Sequence, residues 1–123
     1  MNTLQTIHDV PVLICAAEGE TIRGEREALD CIGDAGYQGA QWVALPAGRF
    51  DEAFFQLRTR VAGDIIQKFV TYRLGLAVLG DISSHMAEGS ALQDFVRECN
   101  RGRQTWFLAD LEELRERLKG DTP

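Results

Sequence analysis

The chain lacks a basic excess. Its 13 Lys and Arg are outnumbered by 19 Asp and Glu, for a net charge of −6, and phosphate binding relies on clustered cations, so nucleic acid is a poor partner. The same sign is repelled by anionic membrane surfaces. No apolar run approaches the roughly 20 residues that span a bilayer. The amino terminus, MNTLQTIHDV, has no basic start followed by an apolar segment and does not read as a signal peptide. Cysteine is scarce: Cys15, Cys31 and Cys99 are odd in number and lack C-x-x-C spacing. That pattern suits buried thiols in a reducing compartment better than a disulfide frame. With His8 and His85 the cysteines make no metal spacing. Gly75, Gly80 and Gly89 form neither G-x-G-x-x-G nor a Walker loop, and no G-x-S-x-G elbow is present. The expectation is a cytoplasmic protein with no cofactor and no metal, which engages neither nucleic acid nor membrane.

What is present is an ordinary globular composition, 45% hydrophobic and 26% charged over 123 residues, enough for one domain with its own core. Thr3 to Ile7 and Val10 to Cys15 read as strands around a tight turn at His8-Asp9, with Pro11 at a strand start or an edge. A helix follows from about Glu25 to Ala35, carrying Ala28, Leu29, Ile32 and Ala35 on one stripe and stopped by Gly36. Gln41 to Leu45 is a short strand closed by Pro46. The longest expected element is a helix from about Asp51 to Tyr72. It has two adjacent apolar rows, Phe55-Ala62-Ile66-Phe69 and Phe54-Leu57-Val61-Ile65, and a favourable Asp64–Lys68 pair on its polar side. Gly63 within it calls for a close approach to the sheet or a helix break.

Leu74 to Leu79 is nearly all apolar, as a strand covered on both faces would be. A polar loop, GDISSHMAEG, opens after it. Ser90 and Gln93 have the spacing of a capping box that starts a helix, with Leu92, Phe95, Val96 and Cys99 inward and Gly102 at its end. Gln104 to Leu108 is a further strand. Asp110 and Glu113 cap the last helix, whose Leu111, Leu114 and Leu118 form a single stripe. The order β-β-α-β-α-β-α-β-α predicts an α/β fold: about five strands in a mostly parallel, mixed sheet, about four helices, and right-handed crossovers. The two amino-terminal strands are expected to add an antiparallel edge.

Four segments carry a family likeness: EALDCIGDAGY at 27–37, the FF-x-L-x-T-x-x-AG-x-x-x-QKF-x-x-YR run from Phe54 to Arg73, LAVLGDIS at 76–83 and LQDFVRECNRGR at 92–103. Over almost its whole length the chain is similar to a bacterial family catalogued as domain of unknown function number 4180. More distantly, strand LAVLGD, a short helix, strand WFL and a final ADLEELRERL helix resemble the anti-anti-sigma-like branch of the STAS fold. That likeness implies a STAS-like domain and says little about chemistry. Phosphorylation-switched STAS regulators carry a serine after the middle strand. PAGRFD at 46–51 has no Ser or Thr, and Ser83 and Ser84 follow the next strand instead.

Two clusters are candidate sites. Asp81, Ser83, Ser84 and His85 share the loop after the fourth strand, where Asp81 would orient His85 and a serine would meet a ligand; a helix cap at Asp81 or Ser83 explains the same residues. Lys68, Tyr72 and Arg73 end the long helix and would hold an anion beside Asn100 and Arg101, although cations there also complement the helix dipole. Asp94 and Glu98 have the spacing to pair with these bases across the fold. Asp30–Asp34 and Glu112–Glu116 read as solvated faces. Phe54, Phe55, Phe69, Phe95, Trp42, Trp106 and Phe107 read as core. The leading expectation is a non-catalytic regulatory or binding module, taking a small ligand or protein partner through the 80–90 loop and the long helix end, with possible homodimer formation at the edge strand. The alternative is a small enzyme built on Asp81 and His85, with Arg73 or Lys68 as anion holder.

Overall fold

The computed structural model describes residues 2–87 and 89–121. Five strands, β1 (Thr3–Ile7), β2 (Val10–Ile14), β3 (Trp42–Pro46), β4 (Gly75–Leu79) and β5 (Thr105–Leu108), lie side by side in sequence order. Only β1 is antiparallel; β2 already belongs to the parallel part. The β1–β2 turn forms at His8 and Asp9, both at positive φ (48° and 70°), the backbone sense that matches the twist of a hairpin. The helices are α1 (Glu25–Gln38), α2 (Val61–Thr71), the single turn α3 (Ser83–Met86), α4 (Ser90–Arg101) and α5 (Leu111–Asp121).

Strand order and handedness together decide the layers. Parallel neighbours added in one direction through right-handed crossovers place every crossover helix on the same face. The strands alternate accordingly. Leu13, Val43, Leu45, Leu76, Val78 and Phe107 form one core with Ile32 of α1, Ile65 and Phe69 of α2, and Leu92 and Val96 of α4. Val12, Trp42, Ala44, Ala77, Trp106 and Leu108 point the other way, against Leu114 and Leu118 of α5. With one helix on this second face, aromatic bulk fills the space. Trp42 and Trp106 stack with centroids 4.2 Å apart and planes 25° apart, from strands on either side of β4. Gly75, the register partner of Trp42, makes room: a Cβ there would fall 2.3 Å from the indole.

The expected helix over 51–72 is broken. Residues 52–55 and 57–59 form 3-10 turns, and α2 begins only at Val61. Four local hydrogen bonds and one left-handed residue accompany the break. Asp51 accepts the Ala53 N–H at 3.1 Å, Thr59 Oγ1 donates to the Ala53 and Gln56 carbonyls and accepts the Val61 N–H, and Arg60 sits in the left-handed region at φ 66°. Phe54 and Phe55 are buried all the same, which is why their apolar spacing reads as part of a helix. Gly63 therefore neither breaks α2 nor touches the sheet, and nothing lies within 4 Å of where its Cβ would be. Helix α1 runs through Gly36 and ends at Gly39, whose φ of 78° is the left-handed cap. Ser90 is the first residue of α4 rather than its cap, and the Gln93 amide donates to the Met86 carbonyl. The cap of α5 is as expected: Glu113 N–H donates to Asp110 Oδ1, and Glu113 Oε1 accepts from Ala109.

Candidate functional site

Ligands of open α/β sheets gather beyond the carboxyl ends of the strands. At that end of β4, Gly80 at φ 141° turns the chain while its N–H donates to Leu108. Asp81 Oδ1 then accepts the Ser83 N–H at 2.9 Å, and this holds its carboxyl below the ordinary value and starts α3. The His85 ring, carried on α3, lies flat on Phe55 with centroids 4.0 Å apart and planes 11° apart. Phe54 meets Phe55 edge-on and stacks at a tilt on Phe50, so His85 ends a chain of rings rooted in the core. The Phe55–His85 pair is a ridge between two depressions. One, of about 230 Å³, is lined by Leu57, Arg58, Ala91 and Leu92. The other, of about 200 Å³, presents Glu52, Gln56 and Ser84.

Asp81 does not join this cleft. Its carboxylate borders a separate, apolar depression with Met86, Val96 and Phe107 on the far side of α3, and among the described residues no hydrogen bond links it to His85. Arg73 is more distant still. It precedes β4 whereas Asp81 follows it, and five residues of strand span about 17 Å at ~3.3 Å each. Arg73 occupies the left-handed cap of α2 at φ 58°. Lys68 pairs with Glu25 of α1 at 3.5 Å rather than with Asp64, and Tyr72 is 56% exposed. Asn100 is committed to the backbone of Phe107, accepting its N–H at 2.7 Å and donating to its carbonyl at 3.2 Å. Arg101 pairs with Glu98 and Arg97 with Asp94, all within α4 rather than across the fold. Of the residues singled out in the sequence, the structure brings Ser83, Ser84 and His85 onto one turn, and places Arg73 at the other end of β4 with Lys68 and Arg101 in separate ion pairs.

Phe55, Gln56, Arg58 and Glu52 were hidden by the helical reading of their segment. A second concavity was hidden by sequence distance. Cys15 follows β2, Cys31 lies on α1, and Arg49 ends the turn after β3; Cys31 and Arg49 line a depression of about 240 Å³, and Cys15 is buried next to Cys31. The two thiols adjoin. The interaction with Cys31, with burial, pushes the Cys15 thiol up, while the same interaction, with help from Arg49 and against burial, Asp30 and Asp34, pulls Cys31 down. The three cysteines are free. Arg49 itself donates to the Ala16 carbonyl (2.9 Å) and twice to the Glu20 carbonyl (3.1 and 3.0 Å), and so ties the β2–α1 connection down. No group of three or more His, Cys, Asp or Glu among the described residues is arranged for a metal, and none of the described helices is long and apolar enough to cross a membrane.

The family model Domain of unknown function (DUF4180) matches residues 7–118. The chain belongs to the DUF4180 family. No curated protein and no solved structure matches it. The DUF4180 match takes in the Phe55–His85 cleft and, apart from Asn2, the depression at Cys31 and Arg49, and omits most of β1.

Proposed function

We propose that this DUF4180 domain is a small cytoplasmic bacterial protein that binds rather than catalyses, and that it receives a small ligand, or one side chain of a protein partner, in the cleft beside the Phe55–His85 stack. The observation that carries this reading is the stack itself. A flat imidazole fixed on a core aromatic, with Arg58 and Leu57 on one side and Glu52, Gln56 and Ser84 on the other, combines an apolar surface with a few convergent polar groups, the usual composition of a ligand site. Among the described residues His85 has no hydrogen bond to a carboxylate or a serine hydroxyl, so the base–orienter pair that hydrolytic chemistry needs has no support there. The resemblance of the carboxyl-terminal segments to STAS-like regulators, read from the sequence, favours a regulatory use of the cleft. β1, paired on one side only, is the edge at which a second copy would add.

The test is a melting-shift screen of carboxylate, phosphate and heteroaromatic metabolites, with light scattering on the same samples to read the association state. A stabilising hit is expected to vanish in His85→Ala and to survive in Arg73→Ala and Arg115→Ala. A hit lost in Arg73→Ala but kept in His85→Ala, or turnover of any hit, overturns the reading. A strictly monomeric chain removes the self-association part alone.

A further inference from the structure

We propose that Cys31 is a hydroperoxide-reactive thiol and Cys15 its resolving partner, so that the end of β2 carries a reversible dithiol–disulfide modification site. The site is separate from the cleft at His85 and does not depend on how that cleft is used.

Four features converge on it. The two side chains adjoin although their residues come from a strand end and a helix, Cys31 packing on the buried cluster that holds Cys15, so the sulfurs are placed to meet in an S–S bond of ~2.05 Å. Access is graded: Cys31 lines the open depression, whereas Cys15 is 4% exposed behind it. An outer attacking thiol with an inner resolving thiol is the arrangement that yields a disulfide instead of over-oxidation. A cation lies beside them. Arg49 donates to the neutral backbone carbonyls of Ala16 and Glu20 and has no carboxylate ion-pair partner among the described residues; such a charge favours thiolate. Finally, the mouth is acidic. Glu20, Glu27, Asp30 and Asp34 line it with Arg49, and Asp34 is held ionised by hydrogen bonds from Asn2 and Gln38. A neutral hydroperoxide passes such a ring of carboxylates, whereas an anionic disulfide such as oxidised glutathione is repelled.

The chemistry balances in two steps. The Cys31 thiolate attacks one oxygen of the hydroperoxide: the S–O bond forms, the O–O bond breaks, and the departing hydroxide or alkoxide takes a proton from water. The sulfur is oxidised by two electrons to the sulfenic acid and the peroxide is reduced. Conversion of Cys31 to the neutral sulfenic acid removes the charge that held the Cys15 proton. Cys15 then attacks the Cys31 sulfur, S–S forms, S–O breaks, and the leaving hydroxide takes the Cys15 proton as water. A neutral dithiol reverses the bond by exchange.

The test uses the full chain and limiting hydrogen peroxide, with tryptic mass spectrometry; Arg23 and Arg26 lie between the two cysteines, so a linked peptide pair reports the bond. The half-buried Cys99, whose thiol burial pushes up, is the internal control. Expected are a Cys15–Cys31 link with loss of two hydrogens, Cys31 oxidation at least about tenfold faster than Cys99, reversal by dithiothreitol, and little modification by oxidised glutathione. Cys15→Ala is expected to accumulate a dimedone-trapped sulfenic acid at Cys31, and Cys31→Ser, at the more accessible position, to leave Cys15 unreacted while keeping the wild-type circular dichroism. Equal rates at Cys31 and Cys99, or a link between any other pair, overturn the proposal. Glutathionylation as fast as peroxide oxidation overturns the assignment of the oxidant.

Discussion

Gly75 and Gly63 show how one residue type carries opposite consequences. At Gly75 the missing Cβ is required, because the Trp42 indole occupies its place at 2.3 Å; at Gly63 the surroundings are open and the helix gains nothing from glycine. Gly75→Ala is expected to cost about 1–3 kcal/mol through overpacking, and Gly63→Ala to stabilise by roughly 0.5–1 kcal/mol through the unfolded chain. Urea denaturation of the two variants checks both signs, and a stable Gly75→Ala would show that the tryptophan stack yields. Thr105 adds a smaller anomaly: its buried Oγ1 has no partner among the described residues, which is an energetic cost to the fold with no visible return.

At the scale of elements, α4 is fastened to β5 by polar latches as well as by Leu92 and Val96. Asn100 holds both backbone groups of Phe107, Trp106 Nε1 donates to the Gly102 carbonyl at 2.8 Å, and Arg117 covers the Trp106 ring at 4.4 Å while donating to the Asn100 carbonyl. A half-buried amide pair of this kind leaves two orphan groups when removed, so Asn100→Ala is expected to cost about 2 kcal/mol. Amide exchange should rise at Phe107 and in the last turn of α4 before it rises in β3. Loss of stability without that local exchange would mean that the latch is not what joins the two elements. The segment 51–60 shows the opposite balance. Its aromatic spacing suits a helix, but Asp51, Thr59 and Arg60 offer the backbone local alternatives that a continuous helix cannot satisfy.

For the whole molecule, three crossover helices on one face and a single helix on the other leave both concavities at the carboxyl end of the sheet, on the more heavily covered side. The amino-terminal strand is tied into this arrangement by Asn2, which donates to Asp34 at 3.1 Å and accepts from Ala16. Hydrogen bonds from Gln38 and from Asn2 depress the Asp34 carboxyl below its ordinary value of 3.8. A carboxyl that titrates lower when folded stabilises the native state above its unfolded value and loses that contribution as pH falls through the folded one. Stability is therefore expected to drop below about pH 4, and Asp34→Asn to flatten that acid limb while lowering stability near neutrality. Urea midpoints across the acid range check this, and an unchanged slope in the variant would assign the acid sensitivity to other groups.

Much of the fold was legible in the sequence. The strands read at 3–7, 41–45, 74–79 and 104–108, each within a residue of those observed, and the α5 cap at Asp110–Glu113 rest on local patterns of alternation, periodicity and capping, which neighbouring residues encode directly; the DUF4180 likeness rests on four sequence segments and is a resemblance. The site was less legible. Asp81 and His85 share a loop in the sequence, yet α3 turns their side chains to different sides; Asn100 has the spacing of a ligand contact, yet it serves the Phe107 backbone. Cys15, Cys31 and Arg49 are scattered along the chain and meet because β2, α1 and the turn after β3 converge at one end of the sheet. The sequence by itself determined which segments form elements, since propensity and hydrophobic period act over a few residues. Only the tertiary structure decided which side chains share a cavity, because that depends on strand order and crossover hand, which bring distant positions together.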